Sequence, residues 1–271
     1  MYQTVLQYFL STHHFKMDQF DENFLNSIIQ KRIIATHSTT QNKYYQLLLE
    51  DESESLILID ALQIHYSEFF RNPLTFAVLE KLILPSILFE KKRKNKNEIR
   101  IWSAACAAGQ EAYSLAILLE ELMEINNSKI KYKVFATDYA EAQIQIAEAG
   151  RYQEEFIQNI SLNRIKKWFS NNNIIYQVNP ELKQNIHFGI FDLFNPQLSC
   201  PPESIFGDFD IVVCANIFYY LNPEHKRKVL DKITNVLTAG GYLVTGETER
   251  EMMLQNGYKE ICTNTSVFEL P

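Results

Sequence analysis

The chain is 271 residues long, 46% apolar and 22% charged, which suits one large domain or a domain with a small accessory module and excludes global disorder. A formal net charge of −7 argues against a general nucleic-acid surface and leaves only a local basic patch open. Cys106, Cys200, Cys214 and Cys262 form no CxxC pair, so no metal site and no disulfide framework are expected, and reduced thiols of a cytoplasmic protein are the reading.

The opening MYQTVLQYFLSTHHFKMDQF lacks the basic n-region of a signal peptide. No run approaches the ~18 apolar residues of a membrane span, so membrane insertion is not expected. The first ~85 residues read as helical, because LNSIIQKRI, YYQLLL and ESLILIDAL space apolar residues by three and four. Asp18 and Asp21 are candidate caps. The charged run FEKKRKNKNEIR (89–100) reads as a linker or exposed helix end and places a boundary between a helical domain and linker (1–88) and a second domain (89–271).

Strands and helices then alternate. IRIWSA (99–104), YKVFATD (132–138), FDIVVCA (209–215), YLVTGE (242–247) and SVFEL (266–270) are expected strands. EAYSLAILLEELMEI (111–125), EAQIQIAEAG (141–150, stopped by Gly150) and PEHKRKVLDKITNVL (223–237, ending towards Gly240-Gly241) are expected helices. That order predicts an α/β fold with a mainly parallel sheet, helices on both faces, and a ligand crevice at the carboxyl ends of the strands. Residues 151–187 break the alternation: LNRIKKWF is helical, and the segment after it (about 171–187) reads as a short strand pair inserted between regular units.

The turn AACAAGQE (104–111) has small residues and one glycine, so a ligand can approach its backbone, and the helix after it offers free N–H groups. Asp138, at the end of the second strand, suits ribose hydroxyls or caps the next helix. A nicotinamide oxidoreductase would carry GxGxxG at this turn; a single glycine favours S-adenosylmethionine, which has no pyrophosphate. Asn216, at the end of FDIVVCAN, faces the crevice or caps a turn. Cys106 and Cys214, in apolar runs, read as core thiols.

Ordered motifs resemble the CheR-type chemotaxis methyltransferases, which methylate glutamate side chains of chemoreceptors. The match runs from about Leu25 to about Glu249. It is carried by SEFFRNPLTF (67–76), IRIWSAACAAGQEAYSLA (99–116), VFATDYAEAQIQIAEAGRY (134–152), RIKKWF, IHFGIFDLF, FDIVVCANIFYYLNPEHKRKVL (209–230) and LTAGGYLVTGETE (237–249). The resemblance implies a Rossmann-like class I methyltransferase sheet, a small N-terminal all-helical domain and a short inserted antiparallel β-subdomain, which in some members docks a receptor tail. It implies S-adenosylmethionine contacts from Ser67, Arg71, Ala104, Gln110, Asp138, Asp192, Leu193, Asn216 and Ile217. Arg71 and Tyr220 would stand nearest the methyl group as catalytic residues, leaving Tyr219 to the core. Lys31 and Arg32 would belong to a receptor-facing basic surface or to a solvated helix face.

The chain departs from the family pattern at His65, Ser67, Gln110, Ala112, Asp192 and Ala215. Gln110 loses a negative charge and Ala215 loses an arginine. The expected reaction is methyl transfer from the sulfonium to a carboxylate of a protein substrate, the cytoplasmic domain of a chemoreceptor, by a monomer. Two alternatives stay open: the same cofactor with another acceptor, and a non-catalytic cofactor- or peptide-binding module.

Overall fold

The computed structural model describes residues 1–63 and 66–270, so the expectation at His65 lies outside the described residues. The chain divides into two compact units, 1–64 with 218–228, and 65–217 with 229–271.

The first unit holds α1 (Tyr2–His13), α2 (Glu22–Ala35), α3 (Gln41–Glu50) and α4 (Glu52–Leu62). Side chains supply the acceptors that helix starts lack. Asp21 takes the N–H groups of Asn23 and Phe24, Thr40 that of Lys43, and Asp51 those of Ser53 and Glu54. Asp18 lies in a 3₁₀ turn, Met17–Gln19. Phe9, Ile29, Tyr44, Leu48 and Leu58 are fully buried between the helices. Inside that core, Glu54 accepts from Arg32 Nε at 2.9 Å, from Arg32 Nη2 at 2.6 Å and from the Tyr44 hydroxyl at 2.8 Å. Arg32 is therefore committed to a packing ion pair rather than to the expected basic surface, whereas Lys31 is exposed.

The second unit begins with α5 (Pro73–Val78), a π-helical turn (Leu79–Ile83) and α6 (Leu84–Arg93). The division at 64/65 corrects the boundary expected at 88/89. Phe69, Phe70, Leu79, Ile83, Leu84 and Leu88 share one apolar core with the sheet and are inseparable from it. The charged run is no linker. It is the end of α6 followed by β1 (Glu98–Ala104), and Lys91 is buried against Asp210 at 2.7 Å. Burial pushes the Asp210 carboxyl up, and Lys91 and the Arg100 N–H oppose that shift.

Then follow α7 (Gln110–Ile125), β2 (Lys131–Asp138), α8 (Glu141–Ala149), β3 (Arg151–Gln153), α9 (Leu162–Trp168), β4 (Phe169–Asn172), β5 (Ile175–Val178), α10 (Pro180–Lys183) and β6 (Ile186–Ile190). The chain continues through β7 (Phe209–Val213), α11 (Pro223–Asn235), β8 (Leu237–Val244), α12 (Arg250–Gln255), β9 (Lys259–Glu260) and β10 (Val267–Glu269). The main sheet has 7 strands in the order β6-β2-β1-β7-β8-β10-β9. β6, β2, β1, β7 and β8 are parallel, and β10 runs antiparallel to both β8 and β9. Helices cover both faces, giving the class I methyltransferase arrangement. The order reverses at β1, between β2 and β7, and this places the crevice at the carboxyl ends of those strands. Gly240 and Gly241 lie within β8 rather than stopping a helix, and α11 ends at Asn235.

The insert is larger and earlier than expected. β3, β5 and β4 form a 3-stranded antiparallel sheet, while residues 186–187 belong to β6 of the main sheet. β3 was missed because three residues carry no readable alternation and its pairing partner is distant in sequence.

Candidate active site

The turn between β1 and α7 is bent by three left-handed residues, Ala105 (φ 62°), Ala107 (φ 46°) and Gly109 (φ 86°). Two of them are alanines, so surrounding hydrogen bonds must hold the conformation. Cys106 N–H donates to the Thr137 carbonyl at 2.9 Å, Ala107 N–H to Asp138 Oδ2 at 2.8 Å and Gly109 N–H to the Cys106 carbonyl at 3.0 Å. From the insert, the buried Tyr152 hydroxyl donates to the Ala108 carbonyl at 2.6 Å. A Cβ on Gly109 would lie 2.7 Å from Ala147 Cβ, so close packing as well as its φ demands glycine here. No side chain caps α7, and the N–H groups of its first turn face the crevice end of the sheet.

Asp138 is anchored by two backbone N–H groups and does not cap α8, whose start carries no side-chain cap. One oxygen takes Ala107 N–H and the other takes Ala140 N–H, at 2.9 Å, just ahead of α8. A carboxylate has about four lone-pair sites, so these two bonds fix the group and leave capacity for a pair of hydroxyls.

Arg71 stands between two more left-handed residues, Phe70 (φ 49°) and Asn72 (φ 52°). Phe70 N–H donates to Ser114 Oγ at 3.0 Å, and that hydroxyl donates to the Gln110 carbonyl at 2.7 Å, which ties the Arg71 segment to the start of α7. Phe69 packs edge-on against Tyr152 and Phe169, and the Arg164 guanidinium lies 4.8 Å from the Phe70 ring centre. The insert therefore grips both phenylalanines that precede Arg71. The guanidinium itself is lightly held, by the Tyr66 carbonyl at 3.3 Å and over the Tyr66 ring at 5.1 Å. Ser67 is half-buried in the same segment.

Two carboxylates absent from the sequence reading complete this region. Glu111, at the second position of α7, accepts the Ser103 hydroxyl at 2.6 Å. Burial pushes its carboxyl up to about 7, the Ser103 bond and the Arg71 charge pull it down, and Glu249 pushes it further up. Glu249, 2% exposed, accepts the N–H groups of Asn216 at 2.9 Å and Gly246 at 2.7 Å. Both residues were in view within the quoted motifs, as the E of GQE and the last E of GETE. Only their burial marks them as more than surface acids.

The remaining expected residues fall as follows. Ala104 closes β1 and is buried. Gln110 is 3% exposed, and its Oε1 has no hydrogen-bond partner among the described residues. Asp192 Oδ1 accepts Phe194 N–H at 2.8 Å in the segment after β6, and Leu193 is buried beside it. Asp192 acts electrostatically on the Tyr139 hydroxyl, which is pushed up by burial first and by that carboxylate second. Asn216 adopts φ 63° just beyond β7, with Ile217 half-buried after it. Tyr220 belongs to the first compact unit, where its ring lies 4.8 Å from Phe24 and its carbonyl accepts Asp21 N–H at 2.8 Å. Tyr219, expected in the core, is 64% exposed. Cys106 and Cys214 are buried thiols pushed well up by desolvation, which makes them inert packing groups. No helix among the described residues is long and apolar enough to cross a membrane, and no metal-binding cluster occurs among them.

Residues 65–268 match the family model described as CheR methyltransferase, SAM binding domain. The chain belongs to the CheR methyltransferase family. It is an S-adenosylmethionine-dependent methyltransferase. It is similar to the chemotaxis protein methyltransferase of Listeria innocua serovar 6a, at 31% identity over 236 residues, 87% of this chain and 82% of that one. Chemotaxis protein methyltransferase 1 of Pseudomonas aeruginosa is 30% identical over 209 residues, 76% of this chain and 73% of that one. An uncharacterized 104.1 kDa protein of Rhodobacter capsulatus is 30% identical over 255 residues, which are 91% of this CheR-family chain and 26% of the larger protein. Among solved structures, the plantazolicin methyltransferase BpumL in complex with a monoazolic desmethylPZN analog and SAH aligns with a TM-score of 0.33 and 13% identity, covering 90% of this chain and 68% of that one.

Proposed function

We propose that this CheR-family enzyme methylates glutamate side chains on the cytoplasmic domain of a chemoreceptor, acting in the cytoplasm as a monomer. The observation that carries the reading is the crevice at the ends of β1 and β2, where an uncapped helix start, the anchored Asp138 and the largely buried Glu111 stand with Arg71 close enough to act on Glu111. The relatives named chemotaxis protein methyltransferases support the acceptor.

These groups fit S-adenosylmethionine. Asp138 suits its two ribose hydroxyls, the α7 N–H groups suit its carboxylate, and Glu111 suits its cationic amino-acid and sulfonium end. Ala104, Gln110, Asp192, Leu193, Asn216, Ile217 and Ser67 would line the rest. When bound, the cofactor supplies an electrophilic methyl on a positively charged sulfur.

The chain's own work is then alignment rather than proton removal. An acceptor glutamate has a pKa near ~4.3 and is already an anion at neutral pH, so no general base is needed. Arg71 orients the incoming carboxylate by charge-assisted hydrogen bonds. Its loose tether to Tyr66 lets it take up a carboxylate without breaking a strong pair. The acceptor's charge disappears on transfer, so an over-tight ion pair would retard the reaction. Tyr220 stays the second catalytic candidate, on the family resemblance alone.

The test is transfer of radiolabelled methyl to receptor cytoplasmic fragments. Label on protein that is lost in mild base identifies a carboxylate ester. S-Adenosylmethionine binding with no transfer to any receptor fragment removes the acceptor assignment. A second reading, the same transfer to a different acceptor, is favoured by Ala215, which stands where the family carries an arginine; label appearing on another protein or a small molecule would select it.

A further inference from the structure

β7 and β8 separate at their carboxyl ends, and something must receive the N–H groups released there. The ladder between them ends with Cys214 N–H donating to the Val244 carbonyl at 2.9 Å. Beyond it, Thr245 N–H turns to the Ser266 carbonyl at 3.0 Å, on the β10 side. The Asn216 and Gly246 N–H groups then have no sheet partner, and Glu249 Oε2 takes both, at 2.9 and 2.7 Å. Glu249 reaches them from a 3₁₀ turn, Glu247–Glu249, that folds back so that its own N–H meets the Gly246 carbonyl at 3.0 Å. The other side of Asn216 is also defined. A Cβ on Gly246 would lie 2.7 Å from Asn216 Oδ1, so the carboxamide rests directly on the glycine backbone. Asn216 is thus seated between a carboxylate that holds its N–H and a glycine that leaves room for its side chain. Its left-handed φ of 63° is one that asparagine adopts more readily than other non-glycine residues, and the Glu249 carboxylate and the Gly246 backbone hold it there.

We propose that Glu249 is a positioning residue for methyl transfer: by bridging the backbone N–H groups of Asn216 and Gly246, it holds Asn216 and Ile217 in the turn that receives the methyl donor. This rests on the cofactor site proposed above. Glu249 works through Asn216, not by contact with the reacting atoms. Its carboxylate oxygen is the feature required, and the negative charge is secondary, because one oxygen accepts both bonds and a glutamine carbonyl can do the same.

The experiment is calorimetric titration of the full chain with S-adenosylmethionine and, separately, with S-adenosylhomocysteine. It compares the wild type with Asn216→Ala, Glu249→Ala, Glu249→Gln, Gly246→Ala and the Asn216→Ala/Glu249→Ala pair, each checked for a native circular dichroism spectrum. Asn216→Ala and Glu249→Ala are each expected to weaken both ligands by about tenfold or more, as expected for loss of buried hydrogen bonds. The pair is expected to be no more than about threefold weaker than the worse single variant, because the two residues act through one turn. Glu249→Gln should bind within about threefold of the wild type, which a role as a charged ligand contact would not allow. The Cβ of Gly246→Ala would lie 2.7 Å from the Asn216 carboxamide oxygen and 3.0 Å from the Asn216 backbone N, and this variant should weaken binding like Asn216→Ala. If Glu249→Ala does not fold, Glu249→Gln carries the test. Normal binding by folded Glu249→Ala, or a loss of about tenfold or more in folded Glu249→Gln, alongside weakened Asn216→Ala, overturns the positioning role and leaves the cofactor site standing. Normal binding by Asn216→Ala overturns the site reading at this strand end and the inference with it.

Discussion

Glu111 is expected to make cofactor binding by this enzyme pH-dependent. Its carboxyl is pushed from 4.5 to about 7 by burial first, with the Ser103 hydroxyl and the Arg71 guanidinium opposing the shift and Glu249 adding to it. Its charge in turn helps to keep the buried thiols of Cys106 and Cys214 protonated. A cationic ligand binds the ionised form. With a pKa of about 7, the ionised fraction rises from roughly 0.1 at pH 6 to roughly 0.9 at pH 8, so the apparent dissociation constant for S-adenosylmethionine should fall by about tenfold over that interval. Binding near pH 7 should release about half a proton, read as a dependence of the calorimetric enthalpy on the ionisation enthalpy of the buffer. Glu111→Gln should abolish the Glu111 part of both effects, and comparison with that variant subtracts the titration of the ligand's own amino group. The sign for stability is the reverse. A carboxyl whose folded-state pKa is raised binds more protons folded than unfolded, so the ligand-free enzyme should lose stability as pH rises from about 4.5 through about 7. A wild-type affinity no more pH-dependent than that of Glu111→Gln would refute this account of the carboxylate.

Three further outcomes are expected. Arg71→Ala should lower turnover on a receptor fragment by about 100-fold, and Arg71→Lys should recover little of it, because a point charge does not reproduce the planar fork; near-normal transfer by Arg71→Ala removes the residue from the reaction. Tyr152→Phe deletes the hydroxyl that holds the Ala108 carbonyl and should cost about 1–3 kcal/mol in urea unfolding while weakening cofactor binding; an unchanged midpoint and affinity would show that the turn holds its shape without the insert. Lys91→Met strands the Asp210 carboxylate, whose side chain is only 9% exposed, and should destabilise by about 3–5 kcal/mol, with Lys91→Met/Asp210→Asn recovering most of the loss; equal stability of Lys91→Met and the wild type would mean that the pair contributes nothing.

Much of the sheet was legible because its signals are local. The run of apolar residues in 99–104, the three- and four-residue apolar spacing of 111–125 and the small-residue turn between them lie within a few residues of one another, and they became β1, α7 and the bent turn. Asp138 was readable as a strand-end acid for the same reason. Arg32 was misread as surface because its partner Glu54 sits two helices away. The domain boundary was misplaced because 89–100 is rich in charge, and nothing local reveals that Lys91 points into the core to meet Asp210. Glu111 and Glu249 were passed over because a glutamate's environment is set by the chain segments that cover it, not by its neighbours in sequence.

The sequence by itself determined the alternation of strand and helix, the family and its cofactor, and the placing of ligand-contact candidates at strand ends, since all of these are written in short-range spacing and motif order. Only the tertiary structure decided which acids are desolvated and therefore chemically distinctive. It joined the Arg71 segment to the start of α7 through Ser114, brought the insert's Tyr152 and Arg164 onto the turn and onto Phe70, and set Glu249 under Asn216. Each of those contacts closes a long loop of chain, and burial, charge coupling and the hydrogen-bond partner of a strand-end N–H exist only once that loop is closed.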